Sequence, residues 1–217
     1  MFIGHFGTGF AAKKVASNVS LGTLFFAAQF IDLLWPVFLL LGIEHVEIDV
    51  GNTVVTPLNF VDYPISHGLF SVLIWAVLFG FVYYLLKKNW KNSLWLGGLV
   101  LSHWILDLLT HRPDLPLVPG SDVKVGLGLW GSLWGTIFVE GLIFAGGIYL
   151  YIKSTKAKNR TGTISLWALI AFLVIIYIGN LFGPPPPAAE PIAIVGMAHW
   201  LLVFWGYWID RNREVIN

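Results

Sequence analysis

The sequence predicts an all-α protein, a polytopic transmembrane helical bundle of about six spans with one short extra helix at its N-terminus. Three observations lead there. Of 217 residues 57% are hydrophobic and 12% are charged, against about 25% charged in soluble domains, so water is a poor solvent for most of this surface. The apolar residues gather in runs of about 20, the length that crosses a hydrocarbon core. All but Arg112 and Lys124 of the 13 Lys and Arg fall in alternate connections between those runs, as the positive-inside rule requires.

In chain order, residues 2–12 (FIGHFGTGFAA) are too short to cross and are expected to form an amphipathic or re-entrant helix. Lysines follow this stretch, the reverse of a secretory signal, so it is expected to be mature structure. Spans are then predicted at residues 21–41, 67–86, 93–109, 133–152, 164–182 and 191–209. PGSDVKVGLGLWGS reads as a Gly-rich outer loop and GPPPPAAEP as a stiff extended connector. Neither divides the chain, which is expected to be a single integral membrane domain over 1–217, with its site in 1–152 and two additional spans in 164–209. The Ser-His pairs in ISHG and LSHW have unlike neighbours, so no internal repeat is indicated. There is no cysteine, which leaves nitrogen and oxygen as the only metal donors. No basic patch interleaved with aromatics points to nucleic acid.

The basic segments are those of Lys13 and Lys14, of Lys87 to Lys91, of Lys153 to Arg160, and of Arg211 and Arg213. Both termini are therefore expected in the cytoplasm, while Glu44, Glu47, Asp49, Asp62, Asp114, Asp122 and Glu190 face outside. At about 1.5 Å per residue, this orientation assigns depths. Asp32, His103 and Glu140 come out roughly 16 to 20 Å above the inner face, and His5 about 12 Å if its helix descends beside the first span. Asp107 stands one turn above His103, with His67 and His111 near the outer boundary.

An ionisable group in hydrocarbon costs about 2.5–3.5 kcal/mol or more, so several at one level need partners. His103 and Asp107, four apart in LSHWILDLLTHRPD, share a helix face and can reach one cation from a single rigid helix. His67, in YPISHGLF, and Asp32, in AAQFIDLLWP, are further candidate ligands, as are His5 and, more weakly, His111. Glu140, in GTIFVEGLIF, could ligate, accept a proton or pair with a histidine; Asp32 is the other candidate base. Arg112, at the end of the third span before Pro113, would suit an anionic substrate group or anchor in headgroups. His199 is expected to be structural, His45 to lie in an exposed loop, and the tryptophans to form interface belts.

An N-terminal GH, an Asp in the first span, a YPxSH element and SHxxxD resemble the membrane-bound metal-dependent hydrolases, small multi-span proteins whose His and Asp pattern is similar to that of zinc-dependent phospholipases C. The resemblance covers roughly residues 4 to 114, with Glu140 as a further match, and its matching positions are His5, Asp32, His67, His103 and Asp107. Here FIDLLW and YPISHG stand where family members often carry a richer Asp-x-Asp-His cluster and an HRG element. The resemblance implies one or two divalent ions, zinc or alternatively manganese, in an outward-opening cavity, and hydrolysis of a phosphoester or lipid-like ester by activated water. Membrane lipids are the expected surroundings. Two rivals use the same residues: a proton- or cation-coupled transporter, and a haem protein with His103 and His199 as axial ligands.

Overall fold

The computed structural model describes residues 1–216. Helices dominate: α1 (Ile3–Ala11), α2 (Leu21–Ala28), α3 (Phe30–Leu40), α4 (Leu69–Lys87), α5 (Trp90–Thr110), α6 (Leu133–Ser154), α7 (Arg160–Phe182), α8 (Ala189–Met197) and α9 (His199–Arg211). Five stretches are long and apolar enough to cross a membrane, α8 and α9 counting as one, and the bent α2–α3 pair would make six.

Local chemistry sets several helix starts. Ser20, Asn89, Ser132 and Asn159 each accept a hydrogen bond from the backbone N–H three residues on, which satisfies a donor the helix itself cannot. Lys88, in the left-handed conformation (φ 52°), closes α4 and turns the chain into α5.

Two expectations need correcting. Of the two alternatives for the N-terminal helix, the amphipathic one lying at an interface is not found: Ile3, Gly4, His5, Phe6, Gly7, Gly9 and Phe10 of α1 are all buried, as a re-entrant helix inside a bundle would be. It crosses α6 so closely that a Cβ on Gly147 would lie 2.0 Å from the carbonyl oxygen of Gly7. Only glycine allows that approach. The predicted first span is also not one helix. It breaks at Gln29, with 56° between α2 and α3, and the carbonyl of Ala28 leaves the helical ladder to accept a hydrogen bond from His103 Nδ1 at 2.8 Å.

The connections carry three antiparallel two-stranded ladders that an all-α reading omits: β1 (His45–Ile48) with β2 (Leu58–Asp62), β3 (Leu115–Pro116) with β4 (Lys124–Val125), and β5 (Thr155–Ala157) with β6 (Arg213–Val215). The last joins segments distant in sequence. Nearby, buried Lys13 donates to Asp210 (2.9 Å) and to the carbonyl of Val19 (2.8 Å), while Arg213 donates to Thr155 and to the carbonyl of Gly162. The N-terminal approach, the α6–α7 connection and the C-terminal tail thus meet at one end of the bundle. Two apolar clusters pack the rest, one around Leu24, Ile31, Trp35 and Leu96 and one around Phe6, Phe10, Phe25 and Phe144.

Candidate metal centre

Four elements deliver the polar cluster: α1 carries His5, α3 carries Asp32, α5 carries His103 and Asp107, and the turn before α4 carries His67. His103 Nε2 lies 3.2 Å from Asp107 Oδ2 and 3.5 Å from Asp32 Oδ1. His67 Nε2 lies 3.6 Å from Asp32 Oδ1 and 3.8 Å from Asp107 Oδ2. His67, given an outer-boundary depth by residue counting, in fact reaches the same point as His103, because helix α4 starts only at Leu69 and the preceding turn brings the imidazole inward.

Hydrogen bonding fixes which nitrogen of each ring carries the proton. A carbonyl can only accept, so His103 donates from Nδ1 to Ala28, and in the neutral ring its Nε2 holds a lone pair. That Nε2 is buried and has no hydrogen-bond partner. Ser66 donates its hydroxyl proton to Glu44 (2.5 Å) and accepts from His67 Nδ1 (2.7 Å), which leaves a lone pair on His67 Nε2 as well. With both rings neutral, two nitrogen lone pairs and two carboxylate oxygens face one another, an arrangement that calls for protons or a cation between them. Zinc bonds of about 2.0–2.1 Å in tetrahedral geometry place ligand atoms about 3.3–3.5 Å apart. The four separations above bracket that value, so triads drawn from this set could hold a small divalent ion.

His5 sits on the far oxygen of Asp107. Its Nε2 is 3.1 Å from Asp107 Oδ1, where the amino nitrogen of Met1 also approaches to 2.7 Å. The ring stacks on His103 with centroids 3.6 Å apart and planes 4° apart. Two triads could hold an ion, His5 with His103 and Asp107, and Asp32 with His67 and His103. They share His103, which has only Nε2 to offer, so they are alternatives for one ion rather than two sites.

The remaining candidates lie outside this group. Glu140 Oε2 accepts the N–H groups of Phe2 (2.9 Å) and Gly4 (3.3 Å); it caps the first turn of α1 from a neighbouring helix and so positions His5. His111 donates from Nδ1 to Asp114 (2.9 Å), and Tyr63 donates to the same oxygen (3.3 Å). Burial holds the His111 imidazole below its usual pKa and pushes the Tyr63 phenol up. Burial opposes ionisation of Asp114 too, but its bonds from His111 and Arg112 outweigh that and lower its pKa. Arg112 donates to Asp114 (3.1 Å) and Asn59 (2.6 Å) beside a cavity of about 450 Å³ that Lys124 also lines. His199 donates to the carbonyl of Gly196 and packs on Phe2 and Phe6. With His103 Nε2 turned to carboxylates and its ring face covered by His5, a haem iron between His103 and His199 does not fit.

Residue-by-residue reading missed Glu44, Ser66 and the Ala28 carbonyl, which orient the two imidazoles. Ser66 stands directly before His67, the one local signal available. No family model, curated protein or solved structure matches the chain.

Proposed function

We propose that the chain is an integral membrane hydrolase, with one divalent ion, zinc, held by His67, His103, Asp107 and Asp32, and a phosphoester or lipid-like ester as substrate. The observation that carries this reading is the convergence of two lone-pair nitrogens and two carboxylate oxygens, one nitrogen buried without any partner. The apolar outer faces, such as Leu73, Val77, Phe81 and Leu85 of α4, all exposed, support membrane insertion. The charge distribution supports an orientation with both termini in the cytoplasm and the β1–β2 side outside.

When bound, such an ion supplies Lewis acidity, which makes water nucleophilic near neutral pH and polarises an ester oxygen. The chain does the rest. Asp32, whose side chain is 22% exposed where those of the other three are 4% or less, marks the open side of the cluster and would be the ligand to leave the ion for an incoming water and accept its proton. His5 holds Asp107 Oδ1 so that Oδ2 faces the ion, and Glu140 holds His5 in place through the first turn of α1. Arg112, fixed by Asn59 and Asp114, offers its charge to an anionic substrate group at the outer cavity. Purified protein should contain close to one zinc or manganese per chain and hydrolyse a chromogenic phosphoester only when metal-loaded; metal-free protein that resists loading refutes the proposal.

A cation-coupled transporter is the second reading, favoured by the 56° break at Gln29, since broken helices frame the ion sites of many transporters. Cation flux into proteoliposomes without ester turnover would favour it.

A further inference from the structure

Glu44 lies in the turn between α3 and β1, and it is 1% exposed. Its Oε1 accepts the N–H groups of Ile65 (2.8 Å) and Ser66 (2.7 Å), and its Oε2 accepts the hydroxyl of Ser66 (2.5 Å). No Lys, Arg or His forms an ion pair with it among the described residues. A buried carboxylate without a counter-ion is costly, and here its hydrogen bonds lead in one direction only, through Ser66 to His67 and on to the acceptor cluster.

We infer that Glu44 and Ser66 are the positioning residues of the metal centre, a relay that fixes the tautomer of His67 and supplies an outer negative charge to balance a cation on its Nε2. The inference rests on the metal reading of the cluster. Its logic is stepwise. As a carboxylate Glu44 can only accept, so the single proton of Ser66 is committed to it; Ser66 can then only accept from His67 Nδ1; in the neutral ring Nε2 is left with its lone pair toward Asp32 and Asp107. Reversing the first step reverses the last. In Glu44→Gln, the two backbone N–H groups still demand an oxygen at the Oε1 position, which forces the amide NH₂ into the Oε2 position against Ser66. Ser66 then donates to His67 Nδ1, the proton moves to Nε2, and the nitrogen that should bind metal is blocked.

The test uses the full chain in detergent micelles. Nitrogen-15 NMR of labelled histidines in the metal-free protein reads the tautomer directly, a property that a merely structural tie would not set. Expected are a His67 proton on Nδ1 in the unsubstituted protein and in Ser66→Thr, on Nε2 in Glu44→Gln, and no fixed tautomer in Ser66→Ala. Zinc affinity by chelator competition should fall about 10- to 100-fold in Glu44→Gln and Ser66→Ala, the range for lost outer partners of metal ligands, and recover in Ser66→Thr. Ser66→Ala keeps both backbone N–H bonds to Glu44, so the turn survives it. A Glu44→Gln protein with the proton still on Nδ1, or zinc affinities within twofold of one another across the set, overturns the relay while leaving the metal site standing. Unsubstituted protein that takes up no zinc overturns the metal reading and the relay's role with it, even if the tautomer inverts.

Discussion

Replacing His103 with alanine is the sharpest perturbation of the centre, because its Nε2 faces both carboxylates and belongs to both possible triads. Zinc bound by four protein side chains is stabilised by about 10–16 kcal/mol at neutral pH, so one ligand of four accounts for roughly a quarter, about 2.5–4 kcal/mol. At about 1.4 kcal/mol per tenfold, His103→Ala should weaken zinc roughly 100- to 1000-fold. Competition with a coloured chelator measures this, and elemental analysis of protein purified in parallel gives the occupancy. His199→Ala, which removes a histidine packed on Phe2 and Phe6, is the control and should keep its metal. Loss of the Ala28 contact could loosen the α2–α3 break, so Asp107→Asn serves as a second variant that preserves shape. Metal held equally by His103→Ala, Asp107→Asn and the unsubstituted protein would refute the reasoning.

Three further outcomes follow from the fold. Gly147→Ala drives a methyl into the Gly7 carbonyl and should cost about 1–3 kcal/mol or more by overpacking. Gly146→Ala, with no atom within 4 Å of the new Cβ, should be neutral or stabilising; equal thermal unfolding temperatures for the two in detergent would contradict the close α1–α6 crossing. Lys13→Met leaves Asp210 without its cation, with only the Tyr151 hydroxyl as partner among the described residues, where the two side chains are 4% and 16% exposed, and should cost about 3 kcal/mol, read as a large drop in unfolding temperature that Asp210→Asn in the same chain partly restores. Since the chain has no cysteine, Asp122→Cys should react with an impermeant maleimide in intact cells and Lys156→Cys only after lysis, the reverse result inverting the proposed orientation.

Composition and run length made the long helices legible, because burying 20 apolar residues in succession leaves a chain few other options. They could not reveal the break at Gln29. Neither glycine nor proline stands there, and the deviation is compensated by a residue 74 positions away, His103, whose Nδ1 takes up the Ala28 carbonyl. The burial of α1 was hidden for a related reason: FIGHFGTGFAA has the length of a surface helix, and its interior position depends on matching glycines on α1 and α6 that no local pattern announces.

The same contrast runs through the candidate site. His103 and Asp107 are visible in sequence because a single helix enforces their spacing. His67 and Asp32 can be suspected because a short ionisable side chain among apolar neighbours must be paired. Depth counting then failed for His67, since it assumes a helix where the chain is a turn, and for Glu140, since two carboxylates at one level can serve different partners. Glu140 satisfies backbone N–H groups of α1 while Asp32 faces imidazole nitrogens. What separates a ligand from a cap is therefore the direction of its neighbours' protons. Sequence carries residue types and spacings but not those directions. They become readable only when every donor around the cluster is traced to its acceptor, and it is that tracing which singles out Nε2 of His67 and of His103, the nitrogens facing both carboxylates, for the proposed ion.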